Sequence, residues 1–380
     1  MKESPTTVPA TLEDASASSP APAVPKTLTR IAAGVGAVWR QHRLLVAIIV
    51  AYAYFGHATG VPGAAPTSLQ AYLSYPMGRI LLVAGAIPLL CGLALCRLRV
   101  RDDEGRPIAG LEGWRRSLAL AVREGWLTRR LAGFLIIIAV LPLFFWAFAA
   151  WKSAIPSIRP FSWDPAFSRL DALLHGGQPD RLLAPLLERP GVTRFLDLGY
   201  YSWRFVLLGV VLWQGWQDNG TARLRFWLAF LVTWILLGTV AGTLFSSAGP
   251  CYYQQATGET GTYGSLFSHL QTVASTEPIR VLRGQQYLWQ AHLAGHVALG
   301  GGISAFPSLH VAMPVLASFA AWSSHRWLAG CFAMYASLIW LGSIHLGWHY
   351  AVDGEASLIG VAVIWWVTGR LVHPLAPKGC

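Results

Sequence analysis

Long apolar segments separated by polar connections dominate the sequence from residue 44 onward. A helix that crosses a membrane needs about 20 mostly apolar residues. On that measure the pattern predicts eight spans, over residues 44–59, 77–96, 131–151, 197–216, 225–245, 308–323, 327–347 and 350–371. The predicted fold is therefore all-α, a polytopic bundle of integral membrane helices, in which the first and sixth spans are the shortest.

The composition agrees with this fold class. Hydrophobic residues make up 54% of the chain and charged residues only 12%, which argues against a soluble enzyme. The net charge of +11 would also suit a nucleic-acid-binding protein, but the basic residues are mostly arginines beside apolar segments. That distribution indicates membrane orientation instead, and we expect no nucleic-acid partner.

The predicted organisation has four parts. Residues 1–27 are rich in Pro, Ala, Ser and Thr, a composition that buries too little apolar surface to fold, and we expect a disordered cytoplasmic tail. Membrane helices and a basic loop follow over residues 28–130. A membrane domain then covers residues 131–372, and residues 373–380 form a second cytoplasmic tail.

The arginines orient the bundle. The connection between the second and third spans holds the densest basic cluster, and placing it in the cytoplasm orients the other connections by alternation. Its members are Arg97, Arg99, Arg101, Arg106, Arg115, Arg116, Arg123, Arg129 and Arg130. The connections 152–196, 246–307 and 347–350 then lie outside. We expect a multi-pass protein of a bacterial inner membrane, with these segments facing the periplasm or the cell exterior.

Two polar strings adjoin apolar segments on this outer side. One is FPSLH at 306–310, and the other is HYAVD at 349–353. Ionisable groups are costly at the mouth of a membrane helix and are usually functional there. We therefore expect His310 and His349 to meet across one pocket, close enough for a single phosphorus atom to touch both.

The first string leads into the sixth span. Pro307 loses no hydrogen bond at a helix start, and the free N–H groups there suit a phosphate, so Ser308 is a candidate binding residue. His310 lies in the same turn, where it could protonate a leaving oxygen. An interfacial histidine with a purely structural role explains the string equally well.

The second string places His349 and Asp353 four residues apart, on one helical face. A carboxylate on one imidazole nitrogen sets the tautomer while the other nitrogen attacks. A bare pair at this spacing is nevertheless more often structural. Adding His345 to the row raises the possibility of a zinc site, but the sequence shows no third cluster of strong ligands, and we expect no metal.

Lys152 and Arg159 lie at the outer end of the third span, with a proline after the arginine. Cations at this position could bind a phosphate. A lysine where a span leaves the membrane is, however, commonly a snorkelling anchor.

The string SSAGPCYY at 246–253 closes the fifth span on the same side. Gly249 belongs to a tight Gly-Pro turn. Tyr252 and Tyr253 could form an interfacial belt or, together with Gly249, one wall of a headgroup pocket.

Taken together, these residues resemble the type 2 phosphatidic acid phosphatase superfamily, whose motifs are Lys-x6-Arg-Pro, Pro-Ser-Gly-His and Ser-Arg-x5-His-x3-Asp. The similarity covers about residues 150–370. The second motif has Leu309 in place of its glycine. In the third, the Ser-Arg pair would fall on Gly342-Ser343, so the phosphate-binding arginine is missing. The matched positions are Lys152, Arg159, Pro307, Ser308, His310, His349 and Asp353.

These departures resemble the phospho-headgroup transferase branch, which includes inositol phosphorylceramide synthases and sphingomyelin synthase-like proteins. That branch lacks the arginine and carries His-Tyr-x2-Asp, as residues 349–353 do. Residues 248–253 are also similar to the Pro/aromatic motif of inositol phosphorylceramide synthases.

The resemblance implies a six-helix catalytic core within residues 131–372 and a two-step reaction without a cofactor. His349 would attack the phosphorus of a membrane phospholipid or lipid phosphate, Asp353 would orient it, and His310 would protonate the leaving alcohol. His310 would then activate the acceptor, a small polyol or a lipid, because microscopic reversibility lets one group serve as acid and then as base.

Other functions stay open at this point. With water as acceptor the same site would be a lipid phosphate phosphatase. A transporter could use membrane-embedded histidines to relay protons, although the sequence shows no convincing internal repeat. An inactive lipid-binding relative is a further alternative, against which the filled catalytic positions argue.

Overall fold

The fold was examined in a computed structural model that describes residues 26–64, 110–123, 125–295, 297 and 301–373, with isolated positions between 80 and 94. Helices supply the regular structure of these residues, and no strand occurs among them. The all-α prediction is therefore confirmed. The predicted span 77–96 and the two predicted tails fall almost entirely outside the described residues.

The helices are numbered α1 to α13 in chain order over the described residues. They are α1 (Lys26–Ala58), α2 (Gly110–Arg123), α3 (Trp126–Ile158), α4 (Asp164–His175), α5 (Pro179–Leu187), α6 (Pro190–Gly215), α7 (Gly220–Leu244), α8 (Tyr253–Thr257), α9 (Gly264–Thr276), α10 (Val281–Leu293), α11 (Leu309–Trp322), α12 (Arg326–His345) and α13 (Ala351–Val372). Within α7 the segment Trp234–Ala241 is a π-helix.

Five helices in the described part are long and apolar enough to cross a membrane, namely α3, α6, α7, α12 and α13. They coincide with the third, fourth, fifth, seventh and eighth predicted spans. The sixth predicted span is α11, which has 14 residues. At about 1.5 Å per residue a helix of this length falls short of a bilayer core. The first predicted span is the second half of α1, and the total of eight stays a prediction.

The connections predicted to lie outside, called the outer connections below, contain short helices that the hydrophobic pattern did not indicate. Residues 152–196 include α4 and α5, and residues 246–307 include α8, α9 and α10. α4 begins with Pro165 in its first turn and ends at Gly176, which is in the left-handed conformation. Both features are common helix boundaries. These helices form the layer that surrounds the two polar strings.

The long helices pack against one another and against α11, the helix that begins with His310 in its first turn. α1 lies along α3, α11 packs against α12 and α13, and α13 packs against α7. The indole N–H of Trp234, in the π-helical part of α7, lies 3.0 Å from the sulfur of Met313 on α11. Met313 is one helical turn beyond His310, so this contact positions the start of α11 against α7.

Candidate functional site

The two histidines of the polar strings face each other. His310 lies in the first turn of α11 and His349 lies two residues before α13. Their ring centroids are 5.9 Å apart, with an angle of 56° between the ring planes. The prediction that the two imidazoles lie close together is therefore confirmed, whereas a shared pocket and their chemical roles stay predictions.

Asp353 orients one of these rings. Nδ1 of His349 lies 3.1 Å from Oδ2 of Asp353, and the backbone N–H of Tyr350 donates to the same oxygen at 3.1 Å. Asp353 is completely buried, and a buried carboxylate requires such partners. With Asp353 ionised, this bond favours the tautomer that carries its proton on Nδ1 and a lone pair on Nε2.

Hydrogen bonds join the start of α11, which carries His310, to the first turns of α13, which follows His349. The N–H of Ser308 donates to the carbonyl oxygen of Asp353 at 3.1 Å. The hydroxyl of Ser357, on α13, reaches the carbonyl oxygens of Ser308 at 2.9 Å and Asp353 at 2.7 Å. The hydroxyl of Ser308 itself is buried and has no partner among the described residues. It is therefore available to a ligand.

Asp164, at the start of α4, binds both the 246–253 string and the 349–353 string. Its carboxylate accepts the N–H groups of Ala248 at 2.9 Å and Gly249 at 2.8 Å, and the hydroxyl of Tyr350 at 2.8 Å. Asp164 is fully buried. One carboxylate thus holds residues 248–249 against the residue that follows His349.

Asp171, two turns further along α4, binds the backbone that follows Tyr350. Its two oxygens accept the N–H groups of Ala351 at 2.8 Å and Val352 at 2.9 Å. These are the first two N–H groups of α13, which have no partner within the helix. Because Asp164 and Asp171 are seven residues apart, they lie on one side of α4. That side faces the site.

Gly249 allows the 246–253 string to approach the backbone of Trp348 closely. Its φ is +94°, and a Cβ built there would lie 2.7 Å from the carbonyl oxygen of Trp348. Any other residue would therefore meet both backbone strain and a steric clash. The predicted role of Gly249 in the pocket wall is compatible with this position, immediately beside His349.

Burial changes the ionisation of the groups outside the membrane spans. Burial, and after it the charge of Lys152, lowers the pKa of His349 to about 3, so its imidazole is neutral near pH 7. Burial raises the pKa of Asp171 to about 6, against the opposing effect of the two N–H bonds. It also raises the pKa of Asp164. Neutral His349 is the form that can attack phosphorus.

The two predicted cations differ in position. Lys152 is half-buried near the outer end of α3, and its charge reaches His349. Its backbone lies under the 301–305 segment, because a Cβ on Gly302 would lie 2.6 Å from the carbonyl carbon of Lys152. Arg159 follows α3 and its side chain is exposed. Its contact with a phosphate stays a prediction.

The hydroxyls of Tyr252 and Tyr253 bond away from the histidines. Tyr252 donates to the carbonyl oxygen of Gln285 at 2.7 Å, and Tyr253 donates to the carboxylate of Glu259 at 2.9 Å. The first bond joins the residue before α8 to α10, and the second closes the turn that follows α8. A direct contact of either tyrosine with a headgroup stays a prediction.

His345 is bonded away from the proposed zinc row. Its Nε2 lies 2.8 Å from the hydroxyl of Thr193, which also lies 3.0 Å from Nε2 of His269. Among the described residues, no group of three or more His, Cys, Asp or Glu side chains is arranged to hold a metal ion.

Aromatic side chains enclose His310. The ring of Tyr200 stacks on it with a centroid distance of 4.8 Å and an angle of 23°, and the ring of Trp203 lies 4.5 Å away. Tyr200 also lies parallel to Trp348, at 6.0 Å and 6°. Both Tyr200 and Trp203 belong to α6, one turn apart. His310 is thus held by its packing as well as by α11.

Sequence reasoning missed Asp164, Asp171 and Tyr200. For the two aspartates a signal was present, because carboxylates seven residues apart in an otherwise amphipathic segment mark one helical face. Tyr200 sits in an apolar span among other aromatic residues, where nothing in the local pattern separates it from a packing residue.

The arrangement suits phosphoryl transfer through a histidine. It combines a neutral imidazole bonded to a carboxylate, a second imidazole whose ring centroid lies 5.9 Å away, a nearby lysine and a serine hydroxyl without a partner among the described residues. In the comparisons, a family model described as "PAP2 superfamily" matches residues 165–367, which is more than half of the chain. Neither the curated proteins nor the solved structures gave a match.

Proposed function

Because the chain belongs to the PAP2 superfamily, the type 2 phosphatidic acid phosphatases, we propose that it is a membrane enzyme that transfers a phospho-headgroup, such as phosphoinositol, from a phospholipid to a hydroxyl acceptor. The site faces the outer side of a bacterial inner membrane in this proposal. The observation that carries it is the 5.9 Å separation of the His310 and His349 rings, with Asp353 bonded to Nδ1 of His349.

In the first step Nε2 of His349 attacks the phosphorus atom of the lipid. A P–N bond forms and the P–O bond to the diacylglycerol breaks. His310 gives its proton to the departing alkoxide, which leaves as diacylglycerol. Asp353 accepts the Nδ1 proton in a hydrogen bond throughout and stabilises the positive charge that develops on the imidazole of His349.

In the second step the acceptor hydroxyl attacks the phosphorus of the phosphohistidine. Neutral His310 removes the hydroxyl proton, a new P–O bond forms and the P–N bond breaks. His349 returns to its neutral form and His310 to its protonated form. Each cycle therefore exchanges one alcohol for another on phosphorus, and no metal or redox group enters the balance.

The charge around the histidines supports a phosphodiester donor. A phosphate monoester carries close to two negative charges at pH 7, whereas a diester carries one. Among the described residues, Lys152 is the cation whose charge acts on His349, and Ser343 stands where the superfamily has arginine. The Ser343 hydroxyl donates to the carbonyl oxygen of Trp340 at 2.7 Å. A single ammonium group balances a diester better than a dianion.

The acceptor is the part of the reaction that requires direct measurement. Purified protein in lipid nanodiscs would receive phosphatidylinositol, phosphatidylglycerol or phosphatidate as donor, with inositol, glycerol and water as competing acceptors. We expect transfer from a diester donor to a polyol, and formation of an acid-labile phosphohistidine at position 349. Preferred release of inorganic phosphate from phosphatidate would instead identify a phosphatase.

A matched pair of histidine variants controls for folding. His349→Ala should abolish both transfer and labelling. His325→Ala should leave both unchanged, because His325 is exposed and immediately precedes α12, at its end away from His345. A phosphohistidine at position 310 in place of 349 would reverse the assigned roles. Transport of an intact lipid without any bond cleavage would contradict the proposal and favour a transporter.

A further inference from the structure

Tyr200 has an unusual position for a tyrosine inside the bundle. It is 6% exposed, and its ring is stacked on those of His310 and Trp348. It therefore lies against His310 and against the residue that precedes His349.

The hydroxyl of Tyr200 is buried without a hydrogen-bond partner in the described part of the chain. Buried tyrosine hydroxyls usually find a partner, and leaving one unpaired is unfavourable. Two neighbouring tyrosines follow that rule. Tyr201 donates to the carbonyl oxygen of Arg280 at 3.1 Å, and the hydroxyl of Tyr335 lies 2.7 Å from that of Ser202. Of the two tyrosines of α6, Tyr200 is thus the one whose hydroxyl has no partner in the described part of the chain.

Other unpaired donors lie beside it. The indole N–H groups of Trp203 and Trp348 are buried and have no partner among the described residues, and neither has the hydroxyl of Ser308. All three residues adjoin one of the two histidines. The surroundings of the two histidines, where the sequence lacks the superfamily's arginine, thus include several buried neutral donors without a partner in the described part of the chain.

We propose that Tyr200 is a catalytic residue whose hydroxyl donates a hydrogen bond to a non-bridging oxygen of the phosphoryl group during transfer. This inference rests on the proposed function. A neutral donor stabilises charge that develops on the oxygen without adding a permanent positive charge to a buried site. It therefore takes over part of the work of the missing arginine, and it favours a singly charged diester.

The ring and the hydroxyl of Tyr200 have separable tasks. The ring packs on His310 and provides an aromatic face for the imidazolium form, a cation–π contact. The hydroxyl alone can reach a phosphoryl oxygen. Tyr200→Phe removes the hydroxyl and keeps the ring, so it tests the donor without disturbing the packing of His310.

The experiment compares Tyr200→Phe with Tyr201→Phe, the adjacent tyrosine that loses an existing bond to a backbone carbonyl. Transfer from the preferred phospholipid is measured for both. For Tyr200→Phe we expect kcat to fall by about 10² to 10³, as for the loss of one oxyanion donor, with KM changed less than about threefold. Tyr201→Phe should stay within about twofold of the wild type. Equal kcat values for the two variants would overturn the inference.

Orthovanadate supplies a second measurement that does not depend on turnover. It adopts a five-coordinate geometry like that of phosphoryl transfer, and its binding raises the melting temperature of the purified protein. We expect Tyr200→Phe to weaken vanadate binding at least tenfold and Tyr201→Phe to leave it unchanged. Loss of transfer with unchanged vanadate affinity would contradict the inference, because it would show that Tyr200 acts only on the position of His310.

The two measurements separate this inference from the proposed function. If the wild type binds vanadate and Tyr200→Phe weakens that binding, but no donor is turned over with any acceptor, the proposed reaction fails and the contact of Tyr200 with phosphoryl oxygen is supported. If the wild type neither binds vanadate nor transfers a headgroup, both are overturned.

Discussion

The outer end of the bundle and its middle bury their side chains in different ways. At the outer end, α4 and the starts of α11 and α13 enclose carboxylates, hydroxyls and imidazoles. Their bonds are directional, with lengths between 2.7 and 3.2 Å in the network of Asp164, Asp171, Ser357 and Asp353. A change in any one of these groups leaves a defined donor or acceptor without a partner.

The middle of the bundle, between α3 and α7, is filled by aromatic rings. Trp234 meets Phe148 at 4.7 Å and Phe145 at 5.1 Å, each ring nearly perpendicular to it. Phe144, which is fully buried, lies between this group and Tyr52 of α1. Edge-to-face contacts of this kind depend on volume and shape rather than on single bonds.

The comparison shows that the two regions contribute to different properties. The middle supplies stability through burial, which several combinations of large apolar side chains can provide. The outer end supplies geometry, which depends on particular atoms. Substitutions at the outer end should therefore change the reaction rate of the folded protein, whereas substitutions in the middle should change the amount of folded protein.

The largest expected effect on rate belongs to Asp353→Asn. The amide keeps the volume of the carboxylate but removes its charge and favours the wrong tautomer of His349. We expect kcat for headgroup transfer to fall by about 10⁴, as in a catalytic triad that loses its carboxylate. The melting temperature shows whether the variant is folded. A folded variant with more than a tenth of the wild-type rate would contradict the role of Asp353.

Asp164→Ala should affect both properties. The substitution removes the acceptor of two backbone N–H groups and of the Tyr350 hydroxyl. We expect the free energy of unfolding to fall by about 3–5 kcal/mol, because each buried donor left without an acceptor costs about 1–3 kcal/mol. The folded fraction should turn over about 10² times more slowly, because residues 248–249 and His349 lose their mutual position. Denaturant unfolding in detergent and kcat per folded molecule are the two measurements.

Asp180→Asn is the matched control for this carboxylate. Asp180, on α5, is also buried, and its Oδ1 has no partner among the described residues. Removing its charge should leave the rate unchanged and should not lower stability. Asp164→Asn, which retains an acceptor oxygen, should give values between those of the wild type and Asp164→Ala. If Asp180→Asn and Asp164→Ala behave alike, the outer network does not determine the geometry of the site.

Phe144→Ala should lower stability and leave the reaction rate of the folded protein nearly unchanged. Loss of a fully buried ring from the middle costs about 3–5 kcal/mol of unfolding free energy. The kcat of the molecules that remain folded should stay within about threefold of the wild type, because no bond at the outer end is touched. A fall in kcat comparable to that of Asp164→Ala would show that the two regions are coupled.

The smallest expected effect is that of pH on the first step. A histidine with an ordinary pKa of 6.5 would be about 97% protonated at pH 5, and the rate of attack would fall about thirtyfold. Because burial lowers the pKa of His349 to about 3, its neutral fraction hardly changes over this range. Rapid-quench measurement of phosphohistidine formation should therefore show no decline between pH 7.5 and 5. A decline with a midpoint near 6.5 would contradict the burial of the nucleophile.

The sequence was sufficient to predict features that depend on neighbouring residues. Apolar segments of about 20 residues predicted five helices that are long enough to cross a membrane. The spacing of His349 and Asp353 predicted their hydrogen bond, because four residues make one helical turn. The two motif strings predicted that His310 would approach His349. The first two predictions depend on residues within one element, and the third depends on the pairing of two motifs.

The remaining features depend on tertiary contacts that no local pattern encodes. Asp164 bonds to Tyr350 across 186 positions of the chain and Asp171 bonds to Ala351 across 180. α4 was part of a connection for which the hydrophobic pattern predicted no structure. Tyr200 and Tyr201 are adjacent in sequence, yet within the described part of the chain the fold gives a hydrogen-bond partner to the Tyr201 hydroxyl and none to the Tyr200 hydroxyl.

The bonds between α11 and α13 restrict how a lipid can enter. Ser357 and the Ser308 N–H join the two helices at the level of the histidines. We therefore expect a bulky headgroup to be admitted by movement on the side of α6, whose Tyr200 and Trp203 rings lie against His310. Entry on that side would leave the distance between the two histidines unchanged from one substrate to the next.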